Sequence, residues 1–182
     1  MTEKILVAVD GSDHDELTLQ RASELAVKDG AELIILHAVV QHALNDEEIA
    51  YAEKRCGKEF RARMSGVELP EFPVEDVNAE RPFRRYVEAR NIFFRVLGED
   101  ILKRAETRAK ELGVKSLKSQ LEFDNPAAAI LKVARRDDVD MIVMGRRGHS
   151  RIAEFFLGST AQRVLHHCRR TIMLVAAKNA KE

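Results

Sequence analysis

Short continuous apolar runs alternate with stretches in which apolar residues recur every three or four positions. Ile5, Leu6, Val7, Ala8 and Val9 form the first run, the pattern of a parallel strand covered on both faces. It stops at Asp10 and Gly11. Ser12 and Asp15 then stand at capping-box spacing, and Leu19, Ala22 and Ala26 give one face of a helix that closes at Gly30. A second buried run covers Ala31 to Val40, so the chain opens as βαβ. Farther on, Ile101, Leu102, Ala105, Ala109 and Leu112 predict a helix over 99–112, closed by Gly113. Leu117, Leu121 and Phe123 alternate with Lys118, Gln120 and Glu122, as in a strand with one wet face near a sheet edge. Asn125 and Pro126 suit the N-cap and first position of the next helix, whose buried face is Ala127, Ile130, Leu131 and Ala134. Val139 to Met144 predicts the fourth strand. Ala161, Val164, Leu165 and Cys168 predict a last helix, and Thr171 to Ala177 a fifth strand.

Five strands with intervening helices specify a single doubly wound α/β domain over 1–182, with a five-stranded parallel sheet and flanking helices. Ligands of such folds bind outside the carboxyl ends of the strands, where Asp10, Ala38 and Gly145 all fall. Residues 42–98 are too long for a plain strand-to-helix connection and read as a helical insertion after strand two. Within it, 45–64 and the stretch from Phe83 onward have helical patterns, separated by a segment carrying Pro70, Pro73 and Pro82.

Composition narrows the function classes. The 182 residues carry 30 Lys+Arg against 30 Asp+Glu, so net charge gives no reason to expect nucleic acid or an anionic membrane as partner. No apolar run reaches the ~20 residues of a membrane span, and the start has no signal-peptide layout, which gives a cytoplasmic expectation. Cys56 and Cys168 lack metal or redox spacing and read as free thiols. Phe83, Tyr86, Phe93 and Phe94 interleave with arginines, a pattern that nucleic-acid binders also use. Residues 42–100 nevertheless hold ten Lys/Arg and thirteen Asp/Glu, so an interface to a protein partner or a pocket cover is the better reading.

The chemistry concentrates between strand four and the last helix. Gly145 and Gly148 are followed after nine residues by Gly158, Ser159 and Thr160. Glycines allow a backbone to approach an anion, and a helix starting near Gly158 would aim its N–H groups at one. Glycines in such a loop are by themselves more often plain turn residues. Arg146, Arg147, His149 and Arg151 could add charge-assisted bonds to a polyphosphate or be solvated surface. His37 ends a buried strand and suits a hydrogen-bonded core role; His166 and His167 point about 100° apart on a helix and make no metal pair. No hydrolytic set can be argued from spacing.

ILVAVDGS at 5–12, HAV at 37–39, VDMIVMGRRGHS at 139–150 and LGST at 157–160 together resemble the universal stress protein family. Gly145, Gly148, Gly158 and Ser159 match the G-x2-G-x9-G-[S/T] loop of its ATP-binding members. Asp124, Thr171 and the insertion depart from the family pattern. A receiver domain fits less well, lacking the later Asp and Lys, and a PP-loop pyrophosphatase would want a Ser-Gly-Gly-type loop after the first strand. The resemblance implies an adenine-nucleotide α-hydrolase-like fold that binds ATP with Mg²⁺. By it, Ala8, Asp10, Ala38 and Met144 line the adenosine side, and Gly145, Gly148, Gly158, Ser159 and Thr160 the phosphate side, where the charge of Arg147 and His149 makes them further nucleotide-binding candidates. It further implies a homodimer through the last strand, Thr171 to Ala177, and a nucleotide-gated stress-response or signalling binder rather than an efficient enzyme. Slow ATPase or phosphotransferase activity is the alternative.

Overall fold

The computed structural model describes residues 2–12, 14–42, 80–147 and 157–176, with 54 and 62 besides, and gives the backbone alone for 80–86. Its elements are β1 (Lys4–Val9), α1 (Asp15–Asp29), β2 (Glu32–Ala38), α2 (Glu80–Glu111), β3 (Leu117–Glu122), α3 (Pro126–Arg136), β4 (Met141–Gly145), α4 (Ser159–His167) and β5 (Thr171–Val175). By contacts the chain divides into residues 1–40 with 101–182, and residues 41–100.

The first unit carries a five-stranded, all-parallel sheet in the order β3-β2-β1-β4-β5. The chain steps outward from β1 to β3 and then returns to the other side of β1. The topological switch therefore lies between β1 and β4, where the two following loops diverge and leave a crevice. β1, β2 and β4 are nearly all apolar because both of their faces are covered. Leu6, Ile34, Leu36, Ile142 and Met144 point to one face and pack with Ala127, Ile130, Val133 and Ala134 of α3 and Ala161 and Val164 of α4. Alternation sends Ile5, Val7, Leu33, Ile35 and Val143, all fully buried, to the opposite face. Each such side chain is worth about 1.5–3 kcal/mol when removed from water.

The two edges differ. β3 is half-exposed, and its wet side is laced with charge: Glu122 takes Lys132 at 2.9 Å and Arg136 at 3.2 Å, and Asp137 takes Gln120 at 2.6 Å and Lys118 at 3.4 Å. Such charge blunts an edge against further pairing. β5, at the other edge, reads Thr-Ile-Met-Leu-Val, with its last four residues half-buried.

Local differences from the sequence expectations have physical causes. The 99–112 helix is the end of one 32-residue helix that starts at Glu80, with Gly98 tolerated inside it. Ser12 is not the cap of α1. Its N–H donates to Asp10 Oδ1 at 3.0 Å instead, a local turn that competes with capping, and the helix begins at Asp15 after His14. Phe123 lies just past β3 and is exposed, and Leu165 is exposed on α4, so neither joins the core. Cys168 is a free thiol at the C-cap of α4. Asn125 does cap α3, its side chain accepting from Ala127 N at 3.1 Å ahead of Pro126.

In the unit of residues 41–100, Gln41 Nε2 donates to Asn91 Oδ1 at 2.9 Å, and His42 and Phe93 each meet Phe94 edge-on, with ring centroids 5.1 and 5.3 Å apart. The predicted 45–64 helix and the proline-bearing segment lie outside the described residues, as do Cys56 and Tyr86's side chain.

Candidate functional site

A cavity of about 250 Å³ opens at the switch point, a little below the ~300–1,000 Å³ usual for small-molecule sites. Its floor follows from strand register. Ala8 pairs Leu36 on one side and Met144 on the other, so a small residue between two large ones leaves a hollow in the sheet surface. Ala38 extends that hollow one step along β2. Pro126 and Ile130, one turn apart on α3, and Ala161 on α4 complete an apolar end.

The polar end is formed by two loops. After β1, Asp10, His14 and Asp15 line the cavity; after β4, Gly145, Arg146 and Arg147 do so, with Gly158, Ser159 and Thr160 arriving at the start of α4. Gly158 is the N-cap of α4 in extended conformation, which leaves the first N–H groups of the helix directed at this end. The glycines are required by close approach rather than by positive φ. A Cβ on Gly145 would stand 2.7 Å from Arg147 O, and one on Gly158 would stand 3.1 Å from Arg146 O. Arg146 N donates to Val175 O at 2.8 Å and Gly158 N to Arg146 O at 3.0 Å, so the two ends of the loop are tied to each other and to β5.

The β1 loop is held differently. The Asp15 carboxylate accepts from Gly11 N at 2.6 Å and from Asp10 N at 3.1 Å. Burial, together with the neighbouring Asp10 charge, pushes its pKa up to about 7, although the two N–H donors oppose the shift. His37, buried on β2, bonds Val9 O through Nδ1 at 2.8 Å and serves the core.

The structure thus gathers Ala8, Asp10, Ala38, Met144, Gly145, Arg147, Gly158, Ser159 and Thr160 around one cavity, while Gly148 and His149 lie outside the described residues. Sequence reasoning missed Asp15, His14 and the apolar Leu36, Pro126 and Ile130, and weighed Arg146 only as a charge that could meet a polyphosphate or be solvated surface. Asp15 stands five residues after Asp10 at a helix start, and Pro126 and Ile130 are one turn apart; those spacings were the available signals. Among the described residues no group of three or more His, Cys, Asp or Glu could hold a metal, and no helix is long and apolar enough to cross a membrane.

A five-stranded parallel sheet with a cavity and a glycine-tied loop at its switch point defines a doubly wound α/β domain. Residues 1–176 match the model of the universal stress protein family, and the chain belongs to that family. It is 30% identical to universal stress protein YxiE of Bacillus subtilis over 164 residues, covering 90% of this chain and 92% of the relative. Two solved structures share the fold. A universal stress protein in complex with cAMP superposes with a TM-score of 0.58 at 20% identity, covering 96% of this chain and 97% of its own. The universal stress protein from Archaeoglobus fulgidus in complex with dAMP gives 0.54 at 19% identity, covering 94% and 96%.

Proposed function

We propose that this chain binds ATP in the switch-point cavity and acts as a cytoplasmic, nucleotide-gated stress-response or signalling module. The carrying observation is the division of the cavity: an apolar end sized by Ala8 and Ala38 suits a base, and Gly145, Arg147, Gly158, Ser159 and Thr160 suit phosphates. The adenine nucleotides bound by the two solved relatives support this reading. Asp10, on the β1 side of the polar end, would accept from ribose hydroxyls. A Mg²⁺ ion arriving with ATP would be held largely by phosphate oxygens and water, the usual habit of that ion. Residues 1–182 then act as one domain, with 42–98 as an insertion that shows a surface to a protein partner. Gating requires that the partner-binding and partner-free states differ in ATP affinity.

The apolar β5 edge supports a homodimer formed across a two-fold axis. Sedimentation checks it: Met173→Lys is expected to yield monomer, and an unchanged dimer would reject this edge as the interface.

Thermal unfolding tests the nucleotide reading. About 1 mM ATP with Mg²⁺, a hundredfold excess over a Kd of about 10 μM, adds roughly 2.7 kcal/mol. That corresponds to a rise of about 5–10 °C at this size, with GTP as the control. No ATP-specific rise in protein free of co-purified nucleotide rejects it. The alternative, slow ATPase or phosphotransferase activity, predicts multiple-turnover hydrolysis that is lost on changing Gly148 or Ser159.

A further inference from the structure

Asp10 and Asp15 stand on one wall of the cavity, five residues apart in sequence and joined through the Asp10 N–H that Asp15 accepts. We propose that Asp15 takes up a proton when an anionic nucleotide enters, so that the cavity holds its ligand more tightly in mildly acidic than in mildly alkaline solution. This rests on the nucleotide reading. An incoming polyphosphate adds negative charge to a cavity whose wall already carries two carboxyl groups, and the group most easily neutralised is a half-buried carboxyl held against a second one. Asp15 is that group, already lifted to about 7.

The neighbours do not cancel the effect. Among the described residues, the other titratable or charged side chains lining the cavity are His14 on the cap of α1 and Arg146 and Arg147 after β4. The two guanidinium groups attract an anionic ligand through their charge. Glu16 is turned to Arg108 at 2.7 Å, and His37 is held to Val9 O. The faces contributed by β2, α3 and α4 are otherwise Leu36, Ala38, Pro126, Ile130, Ser159, Thr160 and Ala161, none of which titrates. Protonated, Asp15 keeps one oxygen for the turn and gains an O–H to donate to Asp10 or to the ligand. Asp15 is accordingly a positioning residue that also sets the pH response.

Calorimetry of ATP binding at pH 7.5, in Pipes, Hepes and Tris, reads the protons exchanged from the dependence of the heat on buffer ionisation enthalpy. The wild type is expected to take up several tenths of a proton more than Asp15→Asn. The comparison between the two removes the titration of ATP itself. A shift of one unit in the Asp15 pKa on binding corresponds to a tenfold change in Kd across the window. Equal proton counts with ATP bound in both proteins overturn this inference alone, whereas no ATP binding by the wild type overturns the nucleotide reading and this inference with it. Carbon-13 titration of the Asp15 carboxyl in the wild type reads the same coupling without a variant: its midpoint is expected to rise with ATP, and a fixed midpoint overturns the proposal.

Discussion

At the carboxyl end of β1 the chain turns on a carboxylate, whereas at the carboxyl end of β4 it turns on its own backbone. Asp15 reaches back to gather the N–H groups of Asp10 and Gly11, and the resulting wall carries two acidic side chains. On the opposite wall Arg146 N bonds Val175 O and Gly158 N bonds Arg146 O, and among the described residues it carries the side chains of Arg146, Arg147, Ser159 and Thr160. The first wall is sensitive to protonation at Asp15, and the second is sensitive to bulk at Gly145 and Gly158. A ligand with hydroxyls near one end and phosphates at the other would use both. Substitutions that exchange these sensitivities are the way to separate the walls.

The largest effect is expected at Gly145. Gly145→Ala places a carbon 2.7 Å from the Arg147 carbonyl oxygen, so the backbone of the loop must shift. Overpacking of this kind costs about 1–3 kcal/mol. Because the shifted atoms form the phosphate end, ATP affinity should fall by roughly tenfold or more, with 1.4 kcal/mol to each factor of ten. Denaturant unfolding and calorimetry measure the two losses; an alanine that binds ATP normally would mean that close approach at Gly145 serves packing alone.

Next in size is Asp15→Ala, which leaves the N–H groups of Asp10 and Gly11 without their acceptor. Losing the partner of a partly buried donor costs about 1–3 kcal/mol. The loss should appear with no ligand present, which separates it from the arginine wall. A midpoint in denaturant equal to that of the wild type would show that water replaces the carboxylate at no cost.

A smaller and more diagnostic effect is the pH dependence of stability. Unfolded Asp15 titrates near 3.8, while in the folded chain it titrates near 7. Between those values the native state holds the extra proton, so this group's stabilisation is complete below about pH 4 and is lost as pH rises to about 7. Asp15→Asn stays uncharged and should unfold with less dependence on pH across that window, gaining on the wild type at pH 8. Parallel stability curves for the two proteins would sink the assignment. Glu122 and Asp140, held below their usual range by Lys132 and by the Lys4 N–H respectively, act in the opposite sense and only at lower pH.

These contrasts explain what the amino-acid order disclosed. Strands buried on both faces and the Asn125-Pro126 helix start are local patterns, so five strands and their parallel arrangement could be read directly. Gly145 and Gly158 stand where a backbone approaches a backbone and demands that residue, while Gly148 lies outside the described residues. Asp15 was hidden: as a residue at a helix start its expected work was capping, and only the folded turn brings its oxygens back onto Asp10 and Gly11. Pro126 and Ile130 were read correctly as helix and core. Their second role arises because Ala8, a strand residue more than a hundred positions away, leaves space beneath them. The length of α2 escaped because Gly98 and Pro82 look like breaks in a pattern that the fold carries through.

The smallest effect is expected from the arginines. Arg146 and Arg147 are half-buried where they line the cavity, and a charge-assisted bond from one of them to a phosphate is worth about 1 kcal/mol, or some fivefold in Kd. Arg147→Ala should therefore weaken ATP about fivefold, ADP less, and adenosine hardly at all, and the loss should shrink as salt is raised because the interaction is screened. Asp10→Ala should weaken all three ligands alike, since the ribose is common to them. If Arg147→Ala instead lowered adenosine and ATP affinity by the same factor, the arginine would be shaping the cavity rather than reading phosphate, and the acidic and basic walls would lose the division of labour that their geometry implies.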